Sequence, residues 1–232
     1  MSAITLYTAP TANGMKVSIA LEELGIDYDV EYLHFDKNEQ KTPEFLKLNP
    51  NGRIPVIVDH DNEDFVLAES GTILLYLAER SGQLWPTDPR LHHKAMQWLM
   101  FQMNAVGPML GQAMFFQRIA APKGIVDEYA IDGYVKESKR LLSVLNDALR
   151  DTEYLCGEYS MVDIATFPWA RAYRWANVDV SDLPHLTAWL ARIEAHEAVQ
   201  RGLCVPAGKP RSYDSDTDLE AATKWNAQLY DA

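Results

Sequence analysis

A proline-rich break at residues 85–89 divides the chain into two parts with different patterns. The segment reads Trp85-Pro86-Thr87-Asp88-Pro89, a composition that ends any helix or strand reaching it. Short apolar runs alternate with helical periodicity before it, and no convincing series of strands follows it. The 232 residues are enough for two domains. The domains predicted from this pattern are α/β at 1–84 and all-helical at 91–205, joined by a linker at 85–90 and followed by an acidic tail at 206–232.

The first domain carries the element order βαβ, then α, then ββα. The two short strands around one turn predict a β-hairpin, and the βαβ unit predicts a parallel strand pair. This order is that of the thioredoxin fold. The predicted elements are strand 4–7, helix 15–24, strand 28–35, a short helix around 43–46, strands 53–58 and 65–67, and helix 72–81.

The second domain shows helical periodicity throughout. Helices are predicted at 91–103 and 127–149, and one or two more at 183–198. A further helix begins at Ser160, three residues before Asp163, which is the spacing of a capping box. We assign that motif to folding and not to catalysis.

Composition excludes several classes of function. A net charge of -12 without long basic runs argues against nucleic acid and anionic membranes as partners. Cys156 and Cys204 form no CxxC pair and belong to no zinc-spaced cluster, so we expect no metal and two structural thiols. No signal-peptide pattern or apolar run of about 20 residues is evident, so we expect a cytoplasmic protein.

The segment 49–55 carries the first candidate binding feature. Pro55 begins a predicted strand, where it cannot donate to the ladder. A cis bond at Ile54–Pro55 would turn the adjacent backbone outward, towards an extended peptide. The alternative is a plain loop before an edge strand.

The pair Glu69-Ser70 at a predicted helix start is the second feature. Free N–H groups, the helix dipole and the Ser70 hydroxyl form an anion site, and Glu69 can hold an ammonium group. Together they suit the head of an α-amino acid. The alternative is an ordinary helix cap.

The order of these features resembles the glutathione transferase family. Ile54-Pro55 precedes Glu69-Ser70 across one hairpin, and the segment 155–165 resembles the family's capping box. The resemblance covers residues 3–205 and implies a thioredoxin-like domain followed by an all-α domain, assembled as a homodimer. It also implies that the backbone at Ile54–Pro55 pairs with the cysteinyl part of glutathione. Glu69 and Ser70 then hold its γ-glutamyl head.

The loop at residues 8–14 is where this family activates the thiol, with Tyr, Ser or Cys. Here the loop holds neither Cys nor Ser, and Tyr7 is better explained as a packed strand residue. Thr11 and Asn13 can both donate hydrogen bonds to sulfur at the start of a helix, where the dipole stabilises a thiolate. Neither is a general base near neutral pH. Either residue could instead only cap the helix.

The loop, together with residues 107–112, resembles the nu class, which includes bacterial glutathione-dependent disulfide-bond oxidoreductases. This resemblance implies that Thr11 and Asn13 contact the sulfurs of two glutathiones, or of one glutathione disulfide. It also implies that Gln40 contacts the glycyl end of the peptide.

Gly133 is the one departure from the nu-class pattern, because related sequences place an arginine there. Other cations could compensate for it: we consider Lys136, Lys139 and Arg140 in the same helix, and Lys16, Arg53 and Arg174 elsewhere. Two or three of the following are also expected to line an apolar pocket: Trp98, Phe101, Met103, Met109, Met114, Phe115, Phe116 and Trp169.

Three functional hypotheses follow. The first is a glutathione-dependent reductase of small disulfides that uses no protein cysteine. The second is conjugation of glutathione to carbon electrophiles, and the third is a binding or regulatory protein without turnover. All three need glutathione as the ligand.

Overall fold

A computed structural model of the protein describes residues 2–207. All but the first two residues of the predicted acidic tail lie outside this range.

The first domain contains a four-stranded sheet in the order β2-β1-β3-β4. The strands are β1 (Ile4–Thr8), β2 (Tyr28–Tyr32), β3 (Val56–Asp59) and β4 (Phe65–Ala68). β1 pairs in parallel with β2 and antiparallel with β3, and β3 pairs antiparallel with β4. The predicted parallel pair and the predicted hairpin are both confirmed.

Three helices complete this domain: α1 (Ala12–Leu24), α2 (Pro43–Leu48) and α3 (Ser70–Ser81). α1 begins three residues before the predicted start, because the Thr11 side chain caps it. Gly25 ends it in the left-handed conformation, with a φ of 63° that a glycine adopts at no steric cost.

Two predicted strands are shorter in the structure than in the sequence analysis. β3 begins at Val56 and not at residue 53, because a loop with a cis Ile54–Pro55 bond precedes it. β2 ends at Tyr32, and Phe35 already begins a 3-10 turn. The cis bond expected between Ile54 and Pro55 is thus present.

The second domain is helical, apart from an isolated bridge between Cys156 and Glu158. Asp88 caps its first helix, which begins inside the segment predicted as linker. The helices are α4 (Pro89–Phe101), α5 (Gly107–Met114), α6 (Glu128–Ala148), α7 (Met161–Ala170), α8 (Pro184–Glu194) and α9 (Glu197–Leu203).

Two π-helical segments, Gln102–Val106 and Phe115–Ala120, flank α5 and were not predicted. In the first, the Gly107 N–H donates to the Gln102 carbonyl five residues earlier. Such turns are rare inside helices and are frequent at functional sites, so helical periodicity alone does not predict them.

α1 joins the two domains, because it packs on α3 of its own domain and on α7 and α9 of the second. Gly202 of α9 is essential to this contact. A Cβ at position 202 would lie 2.6 Å from the Ile19 Cα. The Ser18 hydroxyl donates to the Gly202 carbonyl at 2.8 Å and fixes the approach. The domains therefore share one continuous apolar core.

Asp163 anchors the second domain from inside. Its fully buried carboxylate accepts from the backbone N–H groups of Leu155 and Ser160, from the Ser160 hydroxyl and from the Trp189 indole, at 2.9–3.1 Å. The Ser160 hydroxyl in turn accepts from the Val162 N–H at 3.3 Å. The predicted capping box is present. Burial raises the pKa of Asp163 to about 6, although these donors oppose the shift.

We predict that Asp163→Ala lowers the free energy of unfolding by about 3 kcal/mol or more, because it leaves several buried donors without an acceptor. Urea unfolding followed by circular dichroism measures this. Asp147→Ala is the matched control, because Asp147 is exposed and, within the described chain, pairs with Arg150 alone. Its loss should stay below about 0.5 kcal/mol. Equal losses in the two variants would contradict the anchoring role.

Candidate functional site

Three adjoining cavities lie between the loops of the first domain and the helices of the second. The peptide cavity includes Asn49, Arg53, Ile54, Pro55, Glu69 and Ser70. The wide cavity, of about 910 Å³ including the open space at its mouth, is lined by Thr11, Gln40, Arg53, Ile54, Met114 and Trp169. The lysine cavity includes Lys16, Glu69, Gln102, Met103, Gln112 and Trp169. Among the described residues, Asn13 alone lines all three.

The loop before β3 presents free backbone to the peptide cavity. The buried Asn49 holds this loop, since its amide donates to the Arg53 carbonyl at 2.7 Å and its oxygen accepts from the Asn51 N–H at 3.1 Å. The N–H and C=O of Ile54 bond no other group in the described chain. They are available to an extended ligand.

Glu69 and Ser70 stand at the start of α3, as predicted. Glu69 has a φ of 70° and its side chain makes no capping hydrogen bond. A non-glycine residue in this region is strained, and such strain concentrates at functional sites. The exposed Glu69 carboxylate lines the peptide and lysine cavities, while the Ser70 hydroxyl is buried beneath it. Glu69 is therefore not an ordinary helix cap.

Thr11 is the N-cap of α1. Its hydroxyl oxygen accepts from the Gly14 N–H at 3.1 Å. A hydroxyl has one donor besides its acceptor sites, so its proton can still point into the wide cavity that Thr11 lines. Capping and ligand binding are thus compatible at this residue.

Asn13 is oriented by the second domain. The Trp169 indole N–H donates to the Asn13 side-chain oxygen at 2.9 Å. Because an indole N–H can only donate, the amide oxygen must face Trp169 and the NH₂ group must face elsewhere. Asn13 therefore offers two donors at the place where the three cavities meet.

Tyr7 lines none of these cavities and packs against Phe45. Burial, with a smaller contribution from Glu31, raises its pKa. It is a structural strand residue, as the sequence indicates.

Gln40 and Arg53 occupy the far side of the wide cavity. Gln40 is 7% exposed, and its side-chain oxygen is buried without a hydrogen-bond partner in the described chain. The exposed Arg53 lines both the wide and the peptide cavities, and no ion pair is formed by it within residues 2–207. An acceptor and a cation are thus both available to a ligand there.

Lys16 is the site residue that sequence reasoning undervalued. It is 1% exposed, and its ammonium contacts the Gln102 side-chain oxygen at 2.7 Å and the Ser70 hydroxyl at 3.4 Å. Burial lowers its pKa to about 7, and the carboxylate of Glu69 partly opposes the shift. The available signal was a lysine between the apolar residues Met15 and Val17 of a buried helix face.

The apolar wall comes partly from the predicted side chains. Met114, Phe115 and Trp169 line the wide cavity, and Met103 lines the other two. Trp98, Phe101, Met109 and Phe116 line none of them.

Gly133 does not line the site. A Cβ built on it meets nothing within 4 Å, and it lines none of the three cavities. The nearby cations form ion pairs with acidic partners: Lys136 with Asp132, Lys139 with Asp182 and Arg140 with Glu137. These three cations therefore do not replace, within the site, the arginine that related sequences have at position 133. Arg174 lines none of the three cavities either.

The described chain contains neither a metal-ligand cluster nor a membrane-spanning helix. No group of three or more His, Cys, Asp or Glu side chains there is placed to hold a metal ion. Between residues 2 and 207, no helix is long and apolar enough to cross a membrane.

Fold and site together define a two-domain thioredoxin-fold protein with cavities between its domains. Residues 2–79 match the N-terminal domain of glutathione S-transferase, and residues 114–197 match its C-terminal domain. The disulfide-bond oxidoreductase YfcG of Escherichia coli is 42% identical over 86% of this chain and 94% of its own. The chain belongs to the glutathione S-transferase family.

Solved structures agree with this assignment. A glutathione transferase from Burkholderia graminis, with two glutathione molecules bound per subunit, has a TM-score of 0.84 and 45% identity over 89% of this chain and 90% of its own. One from Pseudomonas putida, with one glutathione disulfide bound per subunit, has a TM-score of 0.83 and 43% identity, over 88% and 92%.

We predict that the stability of the ligand-free protein rises with pH through a contribution from Lys16. Its pKa is lower in the folded state than the ordinary 10.5, so the unfolded state binds more protons between pH 7 and that value. The contribution to the slope approaches at most about 1.4 kcal/mol per pH unit.

Guanidinium unfolding of the wild type and of Lys16→Met, across this pH range, measures the contribution as a difference between two slopes. Lys94→Met is the control, because Lys94 is exposed. Identical slopes for the wild type and Lys16→Met would show that burial does not lower the pKa of Lys16.

Proposed function

We propose that the protein is a glutathione-dependent reductase of small disulfides that uses no protein cysteine. The observation that carries the proposal is the position of Asn13, which lines all three cavities and whose side-chain oxygen is held by the Trp169 indole. Two glutathione molecules in different cavities, or the two halves of one glutathione disulfide, can bring their sulfurs together only near Asn13, where the cavities meet. The relatives support the proposal, because one is named a disulfide-bond oxidoreductase and others hold two glutathiones or one glutathione disulfide.

In this proposal the first glutathione lies along the peptide cavity. Its cysteinyl backbone pairs with the free N–H and C=O of Ile54, beside the cis bond to Pro55. Its γ-glutamyl carboxylate lies at Ser70 on the N-terminus of α3, and its ammonium lies at Glu69. Its glycyl carboxylate reaches towards Arg53, and its glycyl N–H donates to the free side-chain oxygen of Gln40.

The glutathione sulfur lies at the N-terminus of α1, where Thr11 and Asn13 donate to it. The helix dipole and these donors stabilise the thiolate and so lower its pKa, with no general base required. The thiolate attacks one sulfur of a disulfide RSSR, which gives the mixed disulfide GSSR and releases RS⁻. A second glutathione thiolate then attacks GSSR, which gives GSSG and a second RS⁻.

The cysteines are poorly suited to this chemistry. Cys156 is half-buried, and its burial raises the pKa of its thiol to about 11. Cys204 donates to the Gln200 carbonyl at 3.1 Å. Neither lines any of the three cavities, which supports a mechanism carried by the ligand's own sulfur.

Conjugation is the second candidate function. The wide cavity has an apolar wall formed by Met114, Phe115, Trp169 and Trp175, which favours an apolar electrophile. The polar lysine cavity beside it favours a second peptide instead. For that reason we place disulfide reduction first.

Homodimerisation in a cytoplasmic, reducing compartment completes the proposal. Large apolar side chains stand exposed at Phe65 in β4 and at Leu91 and Met100 in α4, and burial between two subunits would cover such surface. Both cysteines are unpaired, which is compatible with a reducing compartment.

Light scattering should give twice the chain mass of 26.2 kDa, and the single-chain mass would contradict the dimer.

The direct test is steady-state turnover of hydroxyethyl disulfide by glutathione, beside conjugation of chlorodinitrobenzene, on one sample. We expect fast disulfide reduction and slow conjugation. The Cys156→Ser/Cys204→Ser double variant should keep the rate of the wild type. Fast conjugation without reduction would contradict the proposal, and so would loss of reduction in the double variant.

Thr11→Ala should lower kcat for disulfide reduction roughly 10- to 100-fold while glutathione affinity changes little, because it removes a donor to the thiolate. Thr11→Ser, which keeps the hydroxyl, should retain most activity. Thr42→Ala is the matched control. Thr42 is also a half-buried N-cap, of α2, and lines none of the three cavities.

Both alanine variants lose a helix cap worth about 1 kcal/mol, but only Thr11→Ala should lose turnover. Equal turnover in these two variants would show that Thr11 is only a cap.

A further inference from the structure

Lys16 is a buried ammonium group without a carboxylate in contact. Its three polar contacts are neutral: the Gln102 oxygen at 2.7 Å, the Ser70 hydroxyl at 3.4 Å and the Met103 sulfur at 3.4 Å. It forms no ion pair within residues 2–207. A buried cation without a counter-ion raises the free energy of the folded state. We therefore expect a bound ligand to supply the negative charge.

The elements packed on α1 leave Lys16 with a single charged neighbour. Among the described residues, Glu69 at the start of α3 is the group whose charge acts on Lys16. Asp163 of α7 is held by Leu155, Ser160 and Trp189. In α9, Arg201 pairs with Glu22 at the other end of α1. The π-helical segment Gln102–Val106 contains no titratable side chain.

The second domain supplies the strongest contact of Lys16. Gln102 is 1% exposed, and its side-chain nitrogen is buried without a partner in the described chain. A Cβ at Gly107 would lie 3.0 Å from this nitrogen, so the glycine gives the amide its room. The π-helical turn thus brings an acceptor from one domain to a cation of the other.

The contact with Lys16 also orients the Ser70 hydroxyl. The Ser70 oxygen accepts from the ammonium, and its own proton points to the Met103 sulfur at 4.0 Å, a weak acceptor that an anion in the peptide cavity can replace. The N–H groups at the start of α3, the Ser70 hydroxyl and the ammonium beneath it then act on the same carboxylate.

We propose that Lys16 is the counter-cation of the anion site at Ser70 and takes up a proton from solvent when the γ-glutamyl carboxylate binds. The ligand's negative charge replaces the missing ion-pair partner and favours the ammonium over the neutral amine. The proton comes from the buffer, and no other bond forms or breaks. Lys16 is thus a positioning residue for the reaction, and its role rests on the proposed glutathione site.

The test uses S-methylglutathione, a thioether whose sulfur carries no proton, so thiol ionisation does not contribute. Calorimetric titrations in two buffers of different ionisation enthalpy give the number of protons taken up. We expect uptake of about half a proton or more near pH ~8, and less near pH ~6, where Lys16 is already charged.

Lys16→Met should abolish this uptake and weaken S-methylglutathione binding roughly 10- to 100-fold. Uptake that persists in this variant belongs to the ligand's own amino group, so only the difference from wild type counts. Lys16→Arg, which is always charged, should bind without this uptake and keeps the test valid if Lys16→Met does not fold. The exposed Lys94→Met should match the wild type.

Equal uptake in the wild type and in Lys16→Met or Lys16→Arg would overturn the role of Lys16 while leaving the disulfide-reductase proposal intact. Absence of S-methylglutathione binding to the wild type would overturn both. Failure of hydroxyethyl disulfide turnover, with proton uptake preserved, would overturn only the reductase.

Discussion

The hydrogen bond from the Trp169 indole to the Asn13 side chain joins the two domains at the start of α1. It fixes which end of the Asn13 amide faces the cavities, because an indole N–H can only donate. The contact is possible because α1 packs directly on α7, which carries Trp169. The arrangement of the site therefore depends on how the two domains pack, and neither domain forms it alone.

Local positive potential explains how an acidic chain can bind an anionic peptide. The net charge is -12, yet the cavities are flanked by the N-termini of α1 and α3, by exposed Arg53 and by buried Lys16. These groups act at short range and in partly desolvated surroundings, where charge is weakly screened. The overall charge thus disfavours polyanionic partners without preventing the binding of one small anion.

Local chemistry made much of this structure predictable. The cis bond at Ile54–Pro55, the hairpin and the Ser160 capping box all depend on neighbouring residues, and all are present. The Asn13–Trp169 contact and the Lys16–Gln102 contact span 156 and 86 residues, so they depend on tertiary packing. At Gly133 the sequence pattern indicated a missing cation of the site, but the structure places this position in open space. Tertiary packing decides this too, so the sequence pattern could not predict it.

A crystal structure of the complex with glutathione disulfide would show whether two sulfurs meet at Asn13. We predict a disulfide sulfur within about 3.5 Å of the Asn13 amide nitrogen, with the Thr11 hydroxyl beside it. We also predict one γ-glutamyl carboxylate at Ser70 and the Trp169–Asn13 hydrogen bond unbroken. A disulfide bound with both sulfurs away from Asn13 and Thr11 would contradict this arrangement.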